Sequence, residues 1–195
     1  MGTGGSWPLW SPPLIIIVFY LFMKIELKNI ENSYKFFHPR LAIVVGSGKY
    51  GKDENFMTCS WNMPILEDVV GISIGKESYT FQLIEKYKEF SINILPFEKR
   101  ELIYNLGTTS GKEINKVKEF NLKVIKGRKT DLPILEDCIA FLECKVIKEI
   151  DFDDVMLFAG KVLHAEYEKE FFNERTGYDK IKLPFHLRGN IFVKI

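Results

Sequence analysis

Apolar and polar positions alternate with a period of two along much of this chain. From Asn55 to Pro64, Met57, Cys59, Trp61 and Met63 fall on one face of an extended segment, and Thr58, Ser60 and Asn62 on the other. One face can enter a core while the other meets a polar ligand, although an alternating strand with hydroxyls on its wet side needs no ligand to explain it. The run Leu41 to Ser47 is short and β-branched and reads as a buried strand entering a turn at Gly46, Gly48 and Gly51. Val69–Gly75 and Phe90–Leu95 read as a third and a fourth strand, Cys138–Val146 and Met156–Tyr167 as long later ones, and Phe185–Ile195 as a final strand.

Helical spacing is confined to short stretches. Phe81, Leu83, Ile84 and Tyr87 lie on one helical face behind Ser78, a natural N-cap. Pro96 predicts the opening of a helix over Phe97 to Leu106 that Gly107 closes. Ser110 and Glu113 have the capping-box spacing ahead of Ile114, Val117 and Phe120. Strands dominate and βαβ alternation does not persist, so the pattern predicts a mainly β fold, a β-barrel with inserted short helices, rather than a doubly wound sheet.

A length of 195 residues suits one domain. Hydrophobic residues at 46% and charged residues at 27% place it among ordinary globular proteins, and a formal charge of +1 gives no electrostatic reason for nucleic acid or an anionic membrane as partner. Cys59, Cys138 and Cys144 form no C-x-x-C pair, which argues against a disulfide framework or zinc site and for a reducing cytoplasm. Cys138 and Cys144 are expected on one strand face, roughly 20 Å apart at about 3.3 Å per residue, as small buried apolar side chains. His38, His164 and His186 show neither metal-ligand nor triad spacing.

Residues 1–23 are different in character: Met1 to Pro13 carries no charge and Leu14 to Met23 is wholly apolar. We read them as an apolar N-terminal extension, packed on the body or on a partner subunit, ahead of a domain over residues 24–195. A natural start at Met23-Lys24 and membrane attachment are the alternatives; a spanning helix needs roughly 20 apolar residues, and a secretory signal needs a basic start and a small-residue cleavage site.

Gly46, Gly48 and Gly51 match G-x-G-x-x-G, yet the residues that follow lead into another strand instead of a helix, so the glycines mark a hairpin turn. A candidate anion site lies at Ser78. A helix opening there directs free N–H groups and a positive dipole end outward, with Lys76 and Thr80 beside it, although capping alone also accounts for Ser78.

The ordered set Asn-x-Met-Thr-x-Ser-Trp-x-x-Pro (Asn55 to Pro64), Ser-Ile-x5-Thr (Ser73 to Thr80), Phe-x-Ile-Asn (Phe90 to Asn93) and Ser-Gly (Ser110, Gly111) resembles the flavin reductase-like family, in particular its flavoredoxin type. Leu132 to Glu136, Phe158 to Val162 and Phe185 to Gly189 extend the likeness, which runs from about Tyr34 to the end. The resemblance implies an FMN-binding split β-barrel with Greek-key connections, a homodimer, and non-covalent FMN near the subunit interface. It assigns Met57, Thr58, Cys59, Ser60, Trp61, Asn62 and Ser73 to the flavin wall, Lys76, Ser78, Tyr79 and Thr80 to the phosphate, and Asn93, Ser110 and Gly111 to the rest of the pocket.

FMN needs donors at its phosphate, an apolar slot for its ring and donors at the pyrimidine edge, and these residue types supply them. Two departures stand out. Ser78 occupies a position where relatives often carry a basic residue, so charge compensation must come from Lys76 or another residue. Asp153-Asp154-Val155 stands where many relatives have Gly-Asp-His, whose histidine is associated with the nicotinamide site in reductases. The expected function is therefore a flavoredoxin-type oxidoreductase passing electrons through FMN to or from a redox partner protein. An NAD(P)H-dependent flavin reductase is one alternative, and a cofactor-free split-barrel interaction module is another.

Overall fold

The computed structural model describes residues 24–178 and 181–195, so the N-terminal extension at 1–23 lies outside the described residues. The chain divides into two compact units, Met1–Phe37 and His38–Ile195. Within the first, Ile30–Phe37 is a 3-10 helix whose Glu31 N–H donates to Asn29 Oδ1 at 2.9 Å.

In the second unit the strands are β1 (Arg40–Leu41), β2 (Ile43–Ser47), β3 (Asn55–Cys59), β4 (Asn62–Leu66), β5 (Val69–Gly75), β6 (Glu89–Ile94), β7 (Val124–Lys126), β8 (Pro133–Leu135), β9 (Ala140–Phe152), β10 (Val155–Tyr167), β11 (Phe172–Asn173), β12 (Gly177–Tyr178), β13 (Pro184–Arg188) and β14 (Ile191–Lys194). The helices are α1 (Tyr79–Tyr87), α2 (Arg100–Thr108) and α3 (Lys116–Glu119). Seven strands form one antiparallel sheet in the order β3-β2-β6-β9-β10-β5-β4. Its two edge strands, β3 and β4, are successive in the chain and separated only by Ser60 and Trp61, so the edges meet and the sheet rolls into a barrel. The expected mainly β, split-barrel fold is the one observed.

Both faces of β2 are buried, which is why its sequence is a continuous apolar run instead of an alternation. Ile43 and Val45 point into the barrel with Ile72, Ile74, Phe90 and Phe158. Ala42 and Val44 join a second core with Phe56, Ile103, Leu106 and Ile134, roofed by α2.

Four expectations change in detail. The predicted strand over Asn55–Pro64 breaks at Ser60–Trp61, where Asn62 Nδ2 donates to Cys59 O (3.1 Å) and Leu41 O (2.9 Å), and beyond the break Trp61 and Met63 are about half-exposed instead of sharing the core with Cys59. The helix predicted to stop before Gly107 runs through it to Thr108, and a Cβ at Gly107 would stand 3.1 Å from Thr58 Cβ. That glycine lets helix and strand approach closely and is not a terminator. Cys138 precedes β9 in a turn, its N–H on Leu135 O at 3.2 Å, so it does not share a strand face with Cys144. The final strand is a hairpin, β13 and β14, turned at Gly189 with φ +50°.

Candidate functional site

The site is built where the N-terminus of α1 faces β3 and the segment after α2. Ser78 caps the helix as expected: its φ of −72° and ψ of 151° are extended, and its Oγ accepts the Phe81 N–H at 3.0 Å. The N–H groups of Tyr79 and Thr80 have no intrahelical acceptor at this end. Thr80 is buried and its Oγ1 accepts from Asn55 Nδ2 at 2.8 Å; the same amide group lies 3.3 Å from Ser47 Oγ. Among the described residues, the buried Asn55 Oδ1 has no hydrogen-bond partner.

These groups open onto a cavity of about 280 Å³ lined by Asn55, Met57, Glu77 to Thr80, Gly107 to Gly111 and Lys116. A second cavity of about 600 Å³ adjoins it through Asn55, Tyr79 and Gly111, and carries Lys52, Lys112 and Lys118 on its walls. A Cβ on Gly111 would stand 2.2 Å from Asn55 Oδ1 and 2.9 Å from Tyr79 Cδ1, so only glycine fits against these two residues where the walls of the two cavities meet. Ser110 and Glu113 form no capping box here. The N–H groups of Glu113 and Ile114 both donate to Ser110 O at 3.2 Å, and α3 starts later, with Asn115 Oδ1 accepting the Lys118 N–H at 3.0 Å.

Of the residues singled out from the sequence, Met57, Ser78, Tyr79, Thr80, Ser110 and Gly111 meet around this one cavity. The others stand elsewhere in the chain. Thr58 donates to Ile103 O on α2. Cys59 is buried with Sγ 3.4 Å from Trp61 O, and burial pushes its thiol up to about 11. Ser60 Oγ lies 3.3 Å from His186 Nδ1, and the Arg40 guanidinium sits 4.1 Å over the Trp61 ring. Asn62 ties the β3–β4 turn, and Ser73 donates its N–H to Trp61 O at 2.9 Å. Lys76 is paired with Asp151, whose carboxyl it holds below the usual range. Asn93 is fully buried as a bracket between strands, with Nδ2 on Val44 O (3.2 Å) and Oδ1 accepting the Leu135 N–H (2.8 Å).

Lys116 has no local signal in the sequence. In Asn115-Lys-Val-Lys-Glu119 it reads as part of a solvated helix face, yet it is 3% exposed, with Nζ donating to Phe56 O (2.9 Å) and Leu106 O (2.8 Å). Burial pulls its ammonium down to about 8. Asn55 was visible only as the head of a motif, and its orphaned Oδ1 depends on the approach of Gly111, which no local pattern announces.

A rolled antiparallel sheet with a cavity at a helix N-terminus, walled by hydroxyls, a buried ammonium and one thioether, defines a split-barrel protein equipped for a ligand with an anionic end. The chain belongs to the flavin reductase-like family, whose domain profile, Flavin reductase like domain, matches residues 36–182. It is similar to the ferric-chelate reductase (NAD(P)H) of Archaeoglobus fulgidus, with 28% identity over 146 residues, 73% of this chain and 83% of that one. Among solved structures it is similar to the FMN-binding protein from Thermus thermophilus with bound 1-cyclohex-2-enone, at 26% identity and a TM-score of 0.75 over 88% of this chain and 93% of that one. Flavoredoxin of Desulfovibrio vulgaris (Miyazaki F) has the same fold, with a TM-score of 0.77, 18% identity, and 89% and 93% covered. No helix among the described residues is long and apolar enough to cross a membrane.

Proposed function

We propose that this protein is a flavoredoxin-type oxidoreductase that holds FMN non-covalently and exchanges electrons with a redox partner protein in the cytoplasm. The observation that carries the reading is the cavity at Ser78–Thr80, in which one helix N-terminus, two hydroxyls, an unsatisfied buried amide oxygen and the Gly111 gap converge. The N–H groups of Tyr79 and Thr80 and the hydroxyls of Thr80 and Ser110 bind and orient the phosphate, Asn55 Oδ1 accepts from a ligand hydroxyl, and Met57 walls the apolar side. When bound, FMN supplies the redox chemistry.

The family resemblance and the surface of β4 support a homodimer. Trp61, just before β4, and Met63, Ile65 and Leu66 on it expose large apolar side chains, a surface that a second copy would cover. Ser60, Trp61 and Asn62, which do not line the cavity at Ser78–Thr80, would then stand at the interface.

The A. fulgidus relative's named activity favours a second reading, direct oxidation of NAD(P)H. Val155, which opens β10 after the Asp153 turn, offers no imidazole to a nicotinamide, and this supports the carrier. Anaerobic mixing of the FMN-loaded protein with NADH, and separately with NADPH, tests the choice. We expect the oxidised-flavin absorbance to persist with either nucleotide and to vanish on adding dithionite. Rapid bleaching with turnover on added free flavin would make the protein a reductase.

A further inference from the structure

The break between β3 and β4 sets the Ser60 hydroxyl against the C-terminal hairpin. Ser60 Oγ lies 3.3 Å from His186 Nδ1, and the other ring nitrogen, Nε2, lies 3.1 Å from Gly189 O at the β13–β14 turn. A carbonyl oxygen only accepts, so Nε2 carries a proton. In the neutral ring Nδ1 is then an acceptor and the Ser60 hydroxyl donates to it; in the imidazolium Nδ1–H donates and the hydroxyl oxygen accepts. Both protonation states keep both hydrogen bonds, and the proton that comes and goes sits between His186 and Ser60. Other groups facing the ring are committed elsewhere. His38, edge-on with its centroid 5.9 Å away, has Nδ1 on His186 O (3.2 Å) and Nε2 3.4 Å from Arg40 Nη2. Arg40, opposite His186 in the β1–β13 ladder, stacks on Trp61, and β14 brings the Phe192 ring at 5.3 Å.

β3 leads from the phosphate end to this pair. Asn55 and Met57 line the cavity at Ser78–Thr80, and Ser60 follows Met57 by three residues, roughly 10 Å at about 3.3 Å per residue. That is about the reach of the ribityl chain between the phosphate and the ring of FMN. In the other direction lies the cavity walled by Lys52, Lys112 and Lys118, which suits a flat apolar ring less than the path past Met57 towards Ser60 and Trp61. A flavin ring that takes up two electrons gains a proton at N5 and loses it on reoxidation. A hydride brings its own proton, whereas electrons from a redox protein arrive without one, so a carrier needs a proton supply.

We propose that Ser60 and His186 relay the proton that accompanies electron transfer at the flavin. On reduction the Ser60 hydroxyl gives its proton to N5 while His186 Nδ1–H replaces it. His186 is left neutral, with Nε2–H still on Gly189 O, and regains a proton from water. Two electrons thus come from the partner protein and one proton from the imidazolium, and reoxidation runs the same path in reverse. The assignment rests on the carrier reading above.

Two measurements test it. In the flavin-free protein, NMR with ¹⁵N-histidine at mildly alkaline pH should find the neutral His186 ring protonated on Nε2; a proton on Nδ1 would overturn the relay. Anaerobic stopped-flow reduction by excess dithionite, with FMN saturating and in light and heavy water, tests the transfer itself. Ser60→Ala and His186→Gln should each slow the loss of oxidised-flavin absorbance about 100-fold and show a solvent isotope effect that the wild type lacks. Ser60→Thr, which keeps the hydroxyl, should restore the wild-type rate, and the Ala and Thr pair suffices should His186→Gln fail to fold. Rates for Ser60→Ala within about 3-fold of wild type would overturn the relay and leave the flavin reading standing. A wild-type protein that binds no FMN would overturn the flavin reading itself.

Discussion

Glu143→Gln is expected to lower the folding stability by about 3 kcal/mol, among the larger effects available to a single isosteric substitution. Glu143 lies on β9, on the same strand face as Phe141, and is wholly buried. Its carboxylate takes the N–H groups of Arg128 (2.6 Å), Lys129 (3.1 Å) and Thr130 (2.8 Å) and the Thr130 hydroxyl (2.6 Å). These donors all belong to the loop joining β7 to β8, so one acidic side chain closes that hairpin. Gln keeps the volume but supplies a single acceptor oxygen and turns an amide NH2 towards donors. At least one backbone N–H then loses its partner, and a charge-assisted set becomes a neutral one. Urea unfolding of the two proteins measures the difference. A loss below about 1 kcal/mol would show that water replaces the carboxylate and that the loop does not depend on it.

Gly160→Ala is expected to cost about 3 kcal/mol, at the upper end for a single added methyl in a packed core. A Cβ on Gly160 would lie 2.4 Å from Phe90 Cζ, 2.6 Å from Phe90 Cε1 and 3.0 Å from Cys144 Cβ. Phe90 is fully buried and shares the barrel core with Ile74, Ile84 and Phe158, so its ring cannot swing aside without displacing them. The β9–β10 ladder slips by one residue between Ala159 and Gly160, which brings the β10 backbone under the ring. A partner substitution separates this clash from a general intolerance of β10. Phe90→Leu in the Gly160→Ala background should recover part of the loss, giving a coupling of about 1 kcal/mol or more in thermal unfolding; strict additivity would mean that the methyl and the ring do not meet.

The strands around β2, β5, β6 and β10 were legible because each is a run of β-branched and apolar residues bounded by glycine or polar turns, and burial on both faces kept β2 free of interruptions. Ser78 was legible because capping is local. The break at Ser60–Trp61 was not, since it depends on Asn62 reaching back to Leu41 O across 21 residues of chain, and alternation continues through the break in sequence. Gly107 illustrates a similar ambiguity. A glycine after an apolar run signals helix termination, and only the packing of α2 on Thr58 shows that it serves close approach.

The candidate site divides along the same line. Met57, Ser78, Tyr79, Thr80, Ser110 and Gly111, which motif order and capping chemistry mark in the sequence, line one cavity. Lys116 was invisible because nothing local distinguishes a lysine whose ammonium is drawn inward between Phe56 O and Leu106 O from its solvated neighbour Lys118. Asn93 has the polarity of a ligand contact, yet its hydrogen bonds knit β6 to β2 and β8, a role that requires long-range pairing to be seen.

Titrating the purified protein with FMN while following its thermal unfolding decides whether the cavity at Ser78–Thr80 binds this cofactor. We expect one FMN per chain, yellow protein that keeps its colour through gel filtration, and, at FMN about one hundred times Kd, a stabilisation of about 2.7 kcal/mol that raises Tm by roughly 5–11 °C. Protein that stays colourless and unfolds at the same temperature with and without FMN would contradict it.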